Sequence, residues 1–191
     1  MLGAGCRVVA FEPQPACADE IEARFSGYGD RIQLCRKALS SEPGTLVLHS
    51  NEIHDNYASF HDDWEGDLRV DIPVEVTTLD AAIEQYGRPD YCKIDVEGWE
   101  YEVLRGLSHH IPMVSFEYHL AERELETTRN CIGHLSHLSP NGVELNIAEC
   151  ETSRFAFDEW LPEEKFWQVF PRDFYDRPGF SYGDIWVRSL K

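Results

Sequence analysis

The chain has 191 residues, with 17 Lys plus Arg against 35 Asp plus Glu and a formal net charge of −18. That length suits one ordinary domain with a sizeable core, and 42% hydrophobic residues with 12% aromatics exclude a disordered chain. The acidity argues against a nucleic-acid or anionic-membrane partner, because both require clustered Lys and Arg, and it suits a small or cationic ligand.

The cysteines at 6, 17, 35, 92, 131 and 150 form no C-x-x-C pair. Their pattern suits a reducing compartment rather than a disulfide scaffold. No stretch approaches the ~20 apolar residues of a membrane span, and Met1 to Cys6 lacks the basic and apolar regions of a signal peptide. The expectation is a cytoplasmic protein of undetermined oligomeric state.

Taken in chain order, Arg7 to Phe11 reads as a buried strand stopped by Glu12-Pro13. Ala16 to Phe25 reads as a helix, with Ile21 and Phe25 on one face. The alternation over 31–38, the turn Glu42-Pro43-Gly44 and the β run Thr45 to His49 predict a hairpin over 31–49. Residues 50–72 read as a surface excursion. Pro73 to Thr77 is a strand, and a helix follows from Thr78 to about Tyr86, with Thr78 or Asp80 available as its cap.

Asp90 to Asp95 and Met113 to Glu117 are strands around a helix from Glu100 to Leu107. Ala121 to Leu138 is a longer helix closed by Pro140-Asn141-Gly142, and Val143 to Ile147 and Asp184 to Arg188 are further strands. The aromatic-rich segment 151–183 between them reads as short helices and loops, a lid or insertion. Alternating strands and helices predict a single α/β domain over 1–191, with a mostly parallel sheet covered on both faces.

Ligands of such sheets sit outside the carboxyl ends of the strands. Those ends carry Glu12, Ser40, Asp95 with Glu97, and Glu117 with His119. An acid in the position of Glu12 can accept hydrogen bonds from a ribose diol. In dinucleotide folds a Gly-rich turn precedes that acid by about 20 residues. Gly3-Ala4-Gly5 precedes a strand instead, and reads as the C-cap of a helix. In Lys93-Ile94-Asp95-Val96-Glu97-Gly98-Trp99-Glu100, a strand delivers Asp95, Gly98 permits a tight turn, and a helix starts at once. Two carboxylates this close can bind a cation, tune each other's proton affinity, or simply cap the helix.

These motifs, with Ala10-Phe11-Glu12-Pro13, Ala38-Leu39-Ser40, Val76-Thr77-Thr78-Leu79-Asp80, Val103-Leu104 with Gly106, and Phe116-Glu117, resemble the FkbM-type methyltransferases over residues 7–119. The resemblance implies a Rossmann-like class I methyltransferase sheet with a last antiparallel strand. It also implies S-adenosylmethionine as donor and O-methylation of a sugar, lipid or secondary-metabolite hydroxyl. By position, Glu12 resembles the acid that holds the cofactor ribose, and Ala38 and Leu39 match the segment beside the adenine. Asp95, Glu97 and Glu117 match the acidic rim, Asp95 serving donor and acceptor alike. The family's first strand and Gly-rich loop have no counterpart in these residues, so the expectation is of an N-terminally truncated fold, unstable and poor at binding the donor as it stands.

A hydroxyl acceptor must lose a proton, which asks for a histidine or carboxylate within reach. His119 is the first candidate base, with Asp95 or Glu97 as alternatives. No metal site is assigned, although His134 and His137 are spaced to share one with a distant acid. The aromatics Trp160, Phe166, Trp167, Phe170, Phe174, Tyr175 and Phe180 read as core, lid or acceptor pocket. Two competing readings remain, a non-catalytic remnant acting through protein contacts and a nicotinamide-dependent oxidoreductase.

Overall fold

The computed structural model describes residues 2–51, 58–60, 69–149, 154–175 and 181–190. Most of the expected surface excursion, with Cys150 and Phe180, therefore lies outside the described residues. Among the described residues, no helix is long and apolar enough to cross a membrane.

Strand β1 (Val8–Phe11) runs parallel to β2 (Ile32–Cys35), and between them lies helix α1 (Pro15–Phe25). Pro15 stands in the first turn of α1, where a missing N–H costs nothing because that group would have no helical partner. Before β1, Leu2–Ala4 forms a single 3-10 turn that closes on Gly5, whose N–H donates to the Leu2 carbonyl.

The expected hairpin over 31–49 does not form. Strand β3 (Ala38–Leu39) pairs parallel with β5 (Arg69–Thr77), and β4 (Gly44–Asn51) pairs antiparallel with β5 along its whole length. The reason is apolar matching. β5 offers Ile72, Val74 and Val76 to Leu46 and Leu48 of β4 in a small core of their own, while β2 is already engaged by β1.

Helix α2 (Leu79–Tyr86) starts at Thr78, whose hydroxyl accepts the Ala81 N–H at 3.1 Å. There follow β6 (Cys92–Ile94), α3 (Glu100–Arg105), β7 (Met113–His119), α4 (Glu122–Leu138), β8 (Val143–Glu149), β9 (Leu161–Pro162), α5 (Glu163–Val169) and β10 (Tyr182–Ser189). β6, β7, β10, β8 and β9 form one sheet in that order.

The architecture is mixed α/β, and the mostly parallel sheet is corrected. β6 and β7 are parallel, but β7–β10, β10–β8 and β8–β9 are antiparallel. The last strand is the cause. β10 inserts between β7 and β8 against their common direction, so two neighbouring pairings turn antiparallel at once. Nor is the sheet continuous: β1–β2 and β3–β5–β4 stand as separate sheets, so a single Rossmann-like sheet is not formed among the described residues.

The side chains of β7 alternate in the strand period of two. Val114, Phe116 and Tyr118 are at most 1% exposed and join Ile185, Val187, Leu145 and Ile147 in the main core. Helices α3, α4 and α5 add Leu104, Ile132 and Phe166 to that same core. These helices pack on the face of the sheet that carries those apolar side chains. The opposite face carries Ser115, Glu117 and His119, with Asp184 and Trp186 paired beside them. Tyr91 stacks on Trp186 there with ring centres 5.0 Å apart, and its hydroxyl shares a hydrogen bond with Ser115.

The end of α3 abuts the residues that follow β3 at Gly106. An added Cβ there would lie 2.4 Å from the Ser40 carbonyl oxygen, which is backbone and cannot rotate away. Alongside, the Asp80 N–H donates to the Gly106 carbonyl, and the Asp80 carboxylate accepts the N–H and hydroxyl of Ser108. We predict that Gly106→Ala forces these segments apart and destabilises the fold by about 1–3 kcal/mol. In a chain of this size the melting temperature should fall by about 2–4 °C per kcal/mol. Thermal and urea unfolding would measure the loss, and an unchanged transition would show that the two segments separate without cost.

Candidate active site

Parallel neighbours end on the same side of a sheet, so β6 and β7 bring their carboxyl ends together. β7 contributes Glu117 and His119 directly. Glu97 arrives differently, through the turn between β6 and α3. Glu97 (φ 52°) and Gly98 (φ 92°) both adopt the left-handed conformation there. Glycine does so freely, but for a glutamate it costs on the order of 1–3 kcal/mol.

Hydrogen bonds hold the turn in place. The Ser59 hydroxyl donates to the Glu97 carbonyl at 3.1 Å, and the Trp99 N–H donates to the Val96 carbonyl at 3.3 Å. Glu100, 3% exposed, accepts the N–H groups of Val96 and Gly98 at 3.3 and 3.1 Å.

The result is a cluster of Glu97, Glu117 and His119 whose ligand-capable atoms lie within 4.8 Å of one another. That spacing and donor set are ones a divalent cation could bridge. The His119 Nε2 stands 3.4 Å from Glu117 Oε2, and Tyr182, its register partner on β10, stacks on the imidazole at 5.7 Å. The Glu117 hydrogen bond raises the His119 pKa; burial pulls it down, and the charges of Glu117, Glu97 and Glu124 add to the net rise. Burial, with the charges of Glu117 and Asp95, pushes the Glu97 carboxyl up. Burial lifts Glu100 to about 7, although the backbone N–H groups it accepts work against the rise.

Asp95 stands at the rim of this cluster. Its carboxylate is 55% exposed and pairs with Lys93 at 3.2 Å, and Lys93 in turn meets Asp184 at 2.5 Å. Burial works to depress Lys93, but the hydrogen bond to Asp184 and the charges of Asp95 and Asp184 outweigh it and hold the ammonium above its ordinary pKa.

Glu12 occupies the end of β1 and accepts the Gln14 N–H at 2.8 Å. Burial raises its carboxyl pKa despite that bond. No hydrogen bond or ion pair among the described residues joins Glu12 to the Glu97 cluster. Ala38 is buried in the small core and Leu39 packs against the main one. His134 directs its Nε2 to the Leu107 carbonyl at 2.8 Å, so that nitrogen is engaged by the backbone.

Sequence reasoning overlooked Lys93, Asp184, Tyr182 and the reach of Glu100. Lys93 carried a signal, since it shares a strand face with Asp95 two residues on. Tyr182 and Asp184 carried none, because only the β7–β10 register brings them to His119 and Glu117.

A family model described as the methyltransferase FkbM domain matches residues 1–162. No curated protein and no solved structure matches the chain. With the motif-bearing turn and the acidic strand ends it places together, this match over most of its length makes the chain a member of the FkbM methyltransferase domain family.

Proposed function

We propose that the chain is an S-adenosylmethionine-dependent O-methyltransferase acting on a hydroxyl of a sugar, lipid or secondary metabolite. The observation that carries the reading is the His119–Glu117 pair beside Glu97, at the joined ends of β6 and β7. When bound, S-adenosylmethionine supplies a methyl group on a sulfonium, an electrophile that needs no further activation. The residues present fit such a donor. Carboxylates at the strand ends suit its positive charge, and Glu12, at the end of β1, is of the type that would hold its ribose. Ala38, Leu39 and Asp95 are the further residues assigned to it by position.

The acceptor hydroxyl must give up a proton as its oxygen is methylated. With Nε2–H donating to Glu117, the His119 tautomer leaves Nδ1 free to take that proton. Glu117 then stabilises the imidazolium, as a carboxylate does for any histidine base. Glu97 adds negative potential on the same side. Much of the remaining rate comes from alignment and exclusion of water.

A second reading, a family member that binds no donor, draws on one observation: β1, which ends at Glu12, and β6, which leads to Glu97, belong to different sheets. Isothermal titration with S-adenosylmethionine separates the two. On the enzymatic reading the chain binds the donor, and Glu12→Ala weakens binding about tenfold, the loss of one charge-assisted hydrogen bond. No heat from the wild-type chain would select the second reading.

Transfer of labelled methyl to a panel of hydroxyl compounds tests the base. His119→Ala should lower turnover by about 100-fold or more. The base must be neutral to act, and its proton affinity is raised. The rate should therefore fall as pH drops through a midpoint above the ordinary histidine value of 6.5. Glu117→Gln should move that midpoint down. A pH profile unaltered by either substitution would remove His119 from the base role.

A further inference from the structure

We propose that Glu100 is a positioning residue of this site: its buried carboxylate clamps the turn from Val96 to Gly98 and so sets Glu97 against Glu117 and His119. The proposal deepens the methyltransferase reading and rests on it for its functional meaning. The geometry itself stands without any donor or acceptor.

A glutamate in the first turn of a helix ordinarily faces water, where the helix dipole favours it. Glu100 is 3% exposed. One of its oxygens, Oε1, takes the N–H groups of Val96 and Gly98 together. Those two amides bracket Glu97, the one non-glycine residue with positive φ among the described residues. A left-handed glutamate persists only where its surroundings over-determine it. Here the Gly98 bond fixes the peptide unit that leaves Glu97, and the Val96 bond anchors the chain one unit before the peptide that enters it.

Little else nearby favours a charge on Glu100. Glu117 faces it from β7 and raises its proton affinity, and Cys131 of α4 feels its charge in turn. The buried carboxylate is thus compensated by backbone N–H groups rather than by a cation, and those of Val96 and Gly98 belong to the turn that carries Glu97.

Nuclear magnetic resonance on the intact chain, with no ligand added, tests the clamp. The Val96 and Gly98 amide protons should titrate together with a midpoint near 7, the Glu100 value. Glu100→Gln keeps an oxygen for both N–H groups, so it should abolish that titration while both amides stay protected from exchange. Glu100→Leu should release Glu97. His119 keeps Glu117, the main cause of its raised proton affinity, but would lose the smaller contribution of the Glu97 charge, so its midpoint should fall.

Glu97→Gln should produce the same fall, and adding Glu100→Leu to it should produce no more. Val96 and Gly98 amides that exchange freely in the wild-type chain, or that show no common titration at any pH, would overturn the proposal. So would an unmoved His119 in folded Glu100→Leu, or an equal further fall in the double variant. If Glu100→Leu does not fold, the amide titration and the Glu100→Gln protection decide alone. An intact clamp in a protein that transfers no methyl group would overturn the methyltransferase reading instead.

Discussion

Strand β7 is the constraint on which the rest of the molecule depends. It has a strand on each side, β6 parallel and β10 antiparallel, so its backbone groups are engaged along both edges and its pleat cannot rotate. One set of alternating side chains, Val114, Phe116 and Tyr118, lies in the core beneath α3, α4 and α5. Full burial of side chains of that size contributes about 1.5–3 kcal/mol each. The other set, Ser115, Glu117 and His119, must then face the opposite way. A slip of one residue would exchange the two sets, so the burial of Phe116 and Tyr118 is also what aims Glu117 and His119.

The electrostatics of their face follow from that aim. Glu97, Glu117 and Asp95 gather near the strand ends, where burial and then the charges of Glu117 and Asp95 raise the cost of ionising Glu97. Two cationic groups offset the accumulation in different ways. Lys93 is held between Asp95 and Asp184 and stays charged. His119 answers Glu117, whose hydrogen bond raises its proton affinity above the ordinary histidine value. A fixed cation at the rim and a titratable one inside give the two sides of the site different tasks.

Several elements were legible because their cause is local. Thr78 caps α2 as its hydroxyl and position suggest, and the long helix, its Pro-Asn-Gly stop and the strand after it fall where composition and turn chemistry put them. The turn at Glu97-Gly98 was visible in the glycine. The hairpin over 31–49 was misread because strand propensity names no partner. β4 and β2 each found longer or earlier matches elsewhere. The mostly parallel sheet was misread for a related reason, since nothing within 182–189 says that it will slot between β7 and β8.

By itself the sequence determined the α/β class, the acidic strand ends, and the motif run from Lys93 to Glu100 that marks the family. These depend on periodicity and on residues adjacent in the chain. The convergence of Glu97, Glu117 and His119 on one cleft was to be expected from parallel strand ends; only the tertiary structure decided that Tyr182 and Asp184 attend them and that β1 and β6 belong to separate sheets. Register and sheet order are set by the packing of apolar faces that lie far apart in the chain. A single strand carries its own alternation of side chains but not the identity of its neighbours.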